Sequence, residues 1–514
     1  MDRSSFRCLT YQTIIFGSVT AWRFEYQQRL HITPRLGCIA MLRKPVGASF
    51  GVPELSSALP LCSPKSQENR SAEFIHALPG RLWRRLRRVN GGQSSHDPGR
   101  PRLAPPLMAG TTHPVNYLLH IRRYSLPLRV AVRTAHGIMR ERDGIILRLE
   151  DEAGTVGHGE VAPVPGFGGG TAGEAEKELR GLGSADAATG ARRVGADDLA
   201  EMVGRGGWVG FALESALAAM RRGSDIALGS VVFAAPRLGA GGEKTRRVGD
   251  NPPHLPDFLP VAALLPAGRR AVEKIGPLAE AGFRTFKWKV GVDAVGEELP
   301  LLEDVCAELP AGARLRLDAN GAWDRRTAER WLERCAERPV EFVEQPCFAE
   351  ASQGAARLRR TEDLLRGLAE DYPTAIALDE SLAGHGDVER WLEAGWRGVW
   401  VIKPSLTGGA EMLGRLQAAK ADVVFSSALE TAVGARAALR VAFAWNAQRP
   451  TINGEHSTSK GQALAAASKP ARALGFGVWP LFQDGRFDGP SLAPFLWARD
   501  VERINVEAAW NALS

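Results

Sequence analysis

The chain has 514 residues, is 44% hydrophobic and carries 65 Lys and Arg against 58 Asp and Glu, a formal charge of +7. No stretch approaches the ~20 apolar residues of a membrane-spanning helix, so a membrane span is excluded as an expectation. The charge is also unevenly placed: residues 1–107 hold 16 basic and 6 acidic groups, leaving residues 108–514 with 49 basic and 52 acidic, so the overall basicity says nothing about the larger part.

The leader, residues 1–107, reads as a basic extension of low structure. Arg81-Leu-Trp-Arg84-Arg85-Leu-Arg87-Arg88 has the charge of a nucleic-acid or membrane-surface patch. No periodic core or binding motif accompanies it, so neither partner is expected. Pro98 to Leu107 reads as a Pro-rich linker. An Arg-rich, acid-poor leader suits an organelle transit peptide; a start codon placed too far upstream, with Met108 as the true beginning, suits it at least as well. Cys8, Cys38 and Cys62 lie in the leader and Cys306, Cys335 and Cys347 beyond it, with neither metal nor disulfide spacing. A reducing compartment follows, the cytoplasm or an organelle if the leader is a targeting peptide.

Residues 108–250 predict an α+β domain. Three strands in a meander are expected at Tyr117–Tyr124, Gly144–Glu150 and Val156–Val161, followed by helices that include Phe211–Leu217. Residues 235–257, rich in Gly and Pro, predict a loop between domains.

Residues 251–514 alternate short apolar runs with amphipathic segments, and each run closes on a functional group. The runs end at Thr285-Phe-Lys287-Trp-Lys289, Arg314-Leu-Arg-Leu-Asp318, Glu341-Phe-Val-Glu344, Ala375-Ile-Ala-Leu-Asp379 and Val399-Trp-Val-Ile-Lys403, with a further run at Asp422-Val-Val-Phe-Ser426. Counted from Lys289, the steps to Asp318, Glu344, Asp379 and Lys403 are 29, 26, 35 and 24 residues. One strand–helix unit of a TIM-type barrel takes roughly 30 residues. Asp324–Arg338 predicts a helix capped by Asp324, with Ala328, Trp331, Leu332 and Cys335 on its inner side; Gly409–Ala421 and Ala432–Ala447 read similarly. The expected architecture is a closed parallel barrel with functional groups at the carboxyl ends of its strands.

The chemistry follows from those ends. Strand alternation points Lys287 and Lys289 to one face and Phe286 and Trp288 to the other. Repulsion between two ammonium groups lowers a lysine pKa, which suits a base. A lone Asp at a strand end is usually a turn residue and a lone Lys is usually solvated. What outweighs those plainer readings is the joint pattern of base, three carboxylates and second lysine. Asp318, Glu344 and Asp379 suit a hard divalent cation, magnesium with manganese as the alternative, and His and Cys for zinc are absent. The expected reaction is proton abstraction next to a carboxylate of a small-molecule substrate, between Lys289 and Lys403 on opposite sides of the mouth. Arg316, two residues before Asp318, should face the barrel interior and meet either Glu344, Asp379 or a substrate carboxylate. Asn320 is a candidate lining residue within a strong Asn-Gly turn signal.

In this order Lys-x-Lys, Leu-Asp-Ala-Asn, Glu-Gln-Pro, Asp-Glu-Ser and Ile-Lys-Pro-Ser resemble the enolase superfamily, muconate-lactonising subgroup. Within it, Phe425-Ser426-Ser427-Ala-Leu-Glu430-Thr-Ala-Val-Gly434 is more similar to the o-succinylbenzoate synthases than to the epimerases or lactonising enzymes. Ala473-Leu-Gly-Phe-Gly-Val-Trp-Pro-Leu-Phe482 is similar to their last strand. The resemblance covers about residues 116–512 and implies a (β/α)7β barrel under an α+β cap. It implies that Lys289 removes the α proton and then helps hydroxide leave from the same face. Lys403 would stabilise the enediolate, Lys287 would tune Lys289, and Asp318, Glu344 and Asp379 would hold magnesium. Ser426, Ser427 and Glu430 would meet the substrate, and Phe167 would cover it from a Gly-rich lid loop, Gly159–Gly168, which otherwise reads as a plain turn. The implied reaction is dehydration to 2-succinylbenzoate in menaquinone biosynthesis. An N-acylamino acid racemase or dipeptide epimerase is the rival within enzymes, and a catalytically degraded barrel used as a binding or scaffold protein is the rival outside them. The oligomeric state is not legible.

Overall fold

A computed structural model describes residues 116–134, 137–165, 167, 170–221, 255–349, 354–447 and 471–513. The expectations for the leader, for Met108, for residues 235–254 of the inter-domain loop and for Gly166 and Gly168 lie outside the described residues.

The amino-terminal sheet is antiparallel. Strand β1 (Asn116–Thr134) pairs with β2 (Gly137–Glu150), and β3 (Val156–Val161) lies on the other side of β2. Leu118 faces Glu150 and Tyr124 faces Gly144; the register shifts between Pro127 and Val132, where proline cannot donate to the ladder. Two further strands, β4 (Ser184–Ala185) and β5 (Arg192–Gly195), complete the order β3-β2-β1-β5-β4. The expected meander is therefore three strands of a five-stranded sheet. The extra pair is short, and β5 is Arg-rich with no apolar alternation, so its place comes from pairing with Asn116–Leu119 of β1. The helices Ala172–Gly181, Ala196–Gly204 and Gly207–Met220 bury Leu179, Leu199 and Leu213 against Leu119, Ile145, Leu147 and Leu149. Gly159 permits the closest approach, since a Cβ there would lie 1.9 Å from the Ala212 carbonyl oxygen.

After β6 (Phe258–Pro260), seven parallel strands run in chain order: β7 (Ala263–Leu265), β8 (Thr285–Lys289), β9 (Arg314–Asp318), β10 (Val340–Glu344), β11 (Ile376–Leu378), β12 (Val399–Ile402) and β13 (Asp422–Phe425). The barrel is closed by Leu474 and Gly475. Gly475 donates to Phe425 O at 2.8 Å on one side, and Leu474 donates to Pro260 O at 2.7 Å and accepts from Ala262 N at 2.9 Å on the other. The last β element, β14 (Phe495–Trp497), pairs antiparallel with β6 outside the barrel. The result is a (β/α)7β barrel with an α+β cap.

Amphipathic helices form the outer layer. Asp324 caps Arg325–Cys335 by accepting from Thr327 N at 2.7 Å, and Ala328, Trp331, Leu332 and Cys335 are all buried. Phe286 and Trp288 point outward into that layer, where the Trp288 and Trp331 rings meet edge-on at 6.1 Å. Inside the barrel, Phe342, Ala377, Val399, Val401 and Val424 form a separate apolar plug beneath the functional end. No helix among the described residues is long and apolar enough to cross a membrane.

Candidate active site

Strand alternation sends Lys287 and Lys289 inward from β8, Asp318 from the end of β9 and Glu344 from the end of β10; Asp379 and Lys403 immediately follow β11 and β12. Going round the closed barrel, three strands separate β8 from β12 in either direction, so Lys289 and Lys403 stand on opposite walls. The three carboxylates occupy the arc between them.

Lys287 Nζ lies 2.9 Å from Asp318 Oδ2 and 2.7 Å from Glu344 Oε1, and Lys403 Nζ is ion-paired with Asp379. Burial disfavours charge on Lys287, but Asp318 and Glu344 outweigh it and raise its pKa. Two carboxylates face Lys287 and dominate its surroundings, so it remains a cation beside Lys289 on the same strand face. Burial raises Asp318, yet Lys287, Lys289 and Lys403 together hold it low, while burial and the Asp318 charge push Glu344 up. Lys403 is pulled down to about 7, chiefly by burial.

Among the described residues no three carboxylates already converge as a metal cage. Lys287 sits between Asp318 and Glu344, and Lys403 holds Asp379. The donor set nevertheless fits a hard cation. Asn320, in a left-handed conformation at φ 47°, donates from Nδ2 to Glu380 Oε1 at 2.9 Å. Glu380 Oε2 and Asn320 Oδ1 are buried without a hydrogen-bond partner. Burial and the charges of Asp318 and Glu344 push Glu380 up to about 8, as expected where carboxylates crowd one pocket.

The other expected residues fall into two groups. Phe167 presents its ring to Lys403 Nζ at 4.6 Å, so the loop from the cap does reach the barrel mouth. Ser426 Oγ donates to Gly475 O at 3.2 Å, Ser427 Oγ accepts from Leu429 N at 2.9 Å, and Glu430 accepts from Ala428 N at 2.5 Å. Arg316 is elsewhere. Its guanidinium donates to Glu341 Oε2 at 2.6 Å and Ala473 O at 2.8 Å, and Arg472 joins Glu341 to Asp422. This network lies at the amino-terminal floor of the barrel, so Arg316 meets neither Glu344 nor Asp379. Glu341 wins because the β9–β10 register slips between Val340 and Phe342 and brings it alongside.

Sequence reading passed over several buried groups. Glu298 accepts from the amides of Gly291, Val292 and Asp293 at 2.7, 3.1 and 3.1 Å, shaping the loop after Lys289. Gln345 Oε1 accepts from Asp379 N and Ser381 N at 3.3 and 3.0 Å, joining two carboxylate-bearing strand ends. Glu160 and Arg142 link cap to barrel. Each looks like ordinary strand polarity in sequence, and only Gly-Glu in the lid-loop segment hinted at Glu160.

The profile of the enolase C-terminal domain-like family matches residues 270–476, and that of the MenC N-terminal domain matches residues 118–194. The o-succinylbenzoate synthase of Thermosynechococcus vestitus is 36% identical over 363 residues, 70% of this chain and 91% of that one. The synthase of Yersinia enterocolitica is 29% identical over 328 residues, 62% of this chain and 84% of its own. Among solved structures, the o-succinylbenzoate synthase from Thermosynechococcus elongatus BP-1, complexed with magnesium in its active site, superposes with a TM-score of 0.55 at 31% identity, covering 77% of this chain and 99% of that one. The dipeptide epimerase from Enterococcus faecalis V583 complexed with magnesium and L-Leu-L-Tyr, at 19% identity, TM-score 0.55 and coverage of 75% and 97%, shares the fold. With a relative this similar along nearly its full length, a cap of the MenC type and a barrel of the enolase type, the chain belongs to the o-succinylbenzoate synthase family of the enolase superfamily.

Proposed function

We propose that this enzyme catalyses the magnesium-dependent syn dehydration of 2-succinyl-6-hydroxy-2,4-cyclohexadiene-1-carboxylate to 2-succinylbenzoate in menaquinone biosynthesis, as a carbon–oxygen lyase. The observation that carries this reading is the placement of Lys289 and Lys403 on opposite walls, with Asp318, Glu344 and Asp379 on the arc between. Magnesium held by those three carboxylates would supply the positive charge that neutralises the substrate carboxylate and the charge developing on it. Neutral Lys289 takes the α proton at Nζ and, as the ammonium, returns it to the hydroxide leaving from the same face. One water is lost, the ring becomes aromatic, and no electron carrier is required. Lys403 in its protonated form faces the developing negative charge from the other wall. Phe167 excludes water above Lys403, and Ser426, Ser427 and Glu430 form a polar substrate wall. The same reading divides the chain into a leader over 1–107, a cap over 108–250 and the barrel over 251–514.

Two lysines on opposite walls would also serve two-base racemisation, so an N-acylamino acid racemase or dipeptide epimerase is the second reading. Incubation in deuterated water separates them. The cyclohexadiene substrate should yield 2-succinylbenzoate, and an N-succinylamino acid should gain little deuterium at its α carbon. Rapid α-exchange without any dehydration would overturn the synthase reading.

A further inference from the structure

Two buried charged side chains of the cap reach into the segment that follows β13, and neither has a role as acid or base in dehydration. Glu160, at the end of β3, is 1% exposed. Its Oε1 accepts from Tyr124 Oη at 2.6 Å and Thr431 N at 2.9 Å; its Oε2 accepts from Gly434 N at 2.7 Å and from the Thr431 hydroxyl. Arg142, in β2, is equally buried. Its guanidinium donates to Leu429 O and Ala428 O at 3.1 and 3.0 Å, and on the cap side to Ala162 O at 2.5 Å and to Pro163 O. One cation thus spans the root of the loop carrying Phe167 and the segment carrying Ser427 and Glu430. Two glycines make room for this arrangement. A Cβ on Gly434 would lie 2.9 Å from Glu160 Oε2, and one on Gly144 would lie 2.2 Å from the Tyr124 hydroxyl.

We propose that Glu160, assisted by Arg142, is a positioning residue through which the cap sets the shape of the substrate wall formed by Ser426–Gly434. This rests on the proposed synthase reading insofar as that wall meets substrate. The site requires a carboxylate. Each of its two oxygens faces a backbone N–H, of Thr431 or of Gly434, and neither N–H can turn away. A glutamine in place of Glu160 must therefore aim its NH2 group at one of them, whichever way the amide is flipped. An isosteric change of one atom then leaves a buried donor opposed rather than paired.

The test compares Glu160→Gln with the parent full-length enzyme. We expect KM for the cyclohexadiene carboxylate to rise at least ~10-fold with kcat within ~3-fold. Magnesium affinity by calorimetry should stay within ~2-fold, because the metal carboxylates sit on other strands. Hydrogen exchange of the peptide covering residues 426–434 should quicken at least ~10-fold while β9 to β11 are unchanged. A role in stability alone would lower melting temperature and kcat with the folded fraction and leave KM at the parent value; that outcome, or parent exchange in 426–434, overturns the proposal. Should Glu160→Gln not fold, Tyr124→Phe removes one of the four bonds and should still raise KM and exchange ~3-fold; no change in either overturns the proposal equally. A parent enzyme that dehydrates nothing would sink the synthase reading instead, and the exchange measurement would still decide the clamp.

Discussion

Lys287 and Lys289 share one face of one strand, yet their neighbours assign them different work. Lys287 is locked between Asp318 and Glu344 and stays charged, whereas Lys289 is the base of the proposed mechanism. Lys289→Ala should lose at least ~10³-fold in dehydration rate with an unchanged circular dichroism spectrum; a rate near the parent's would identify another base. Lys403→Arg should be milder than Lys403→Ala if only positive charge is needed there, and equally dead if Lys403 must give up and retake a proton, as two-base racemisation requires. Glu430 gives a prediction on pH. Burial, and then the Glu160 charge, push its carboxyl from 4.5 up to about 7, so the folded state binds more protons than the unfolded chain across that window. Its contribution to stability is therefore complete below about pH 4.5 and is lost as pH rises towards 7. Denaturant titrations of Glu430→Gln should show a flatter dependence over that window, and the same slope as the parent would refute the shift.

The loop after β8 shows how a strand end is held. Three consecutive amides, Gly291 to Asp293, converge on the Glu298 carboxylate from the next helix, and Gly291 adopts φ 74° to allow it. Glu298→Ala should cost about 2–3 kcal/mol, since hydrogen bonds to a buried charged group are lost together. Urea unfolding measures this, and a loss below about 0.5 kcal/mol would show that the loop stands without its anchor. Among the elements, the start and inner face of Arg325–Cys335 were legible, because a capping Asp and four inward positions at helical spacing are local signals, whereas its end, short of the expected Arg338, was not. The pair β4 and β5 was not, because two and four residues carry too little pattern and depend on β1 for their pairing.

Metal binding, where it occurs, is felt by the entire protein. A ligand that binds only the folded state stabilises it by about 2.7 kcal/mol at a hundredfold its Kd, so magnesium should raise the melting temperature and EDTA should reverse the rise and abolish turnover. Glu344→Gln should shrink the magnesium-induced shift with little change in the metal-free melting point; an undiminished shift would remove Glu344 from the ligand set. A chain beginning at Met108 should keep the parent KM and kcat, because every side chain of the candidate site lies between Arg142 and Gly475. An insoluble or inactive shortened protein would show that residues 1–107 support the enzyme and that the proposed boundary is wrong.

Periodicity and spacing, both local properties, sufficed for the barrel and for the set of three lysines and three carboxylates. Alternation with a period of two decides which face a side chain takes, and a repeat near thirty residues places successive faces around one mouth. Contact partners across the fold were beyond that reach. Arg316 could be placed inside the barrel, but its partner Glu341 was chosen by a register slip between β9 and β10. Glu160 and Thr431 are 271 positions apart, and Arg142 and Leu429 are 287 apart. No sequence period spans such distances. Their meeting is decided by how the cap packs on the closed barrel, which buries those charges until each finds the one set of backbone groups able to satisfy it.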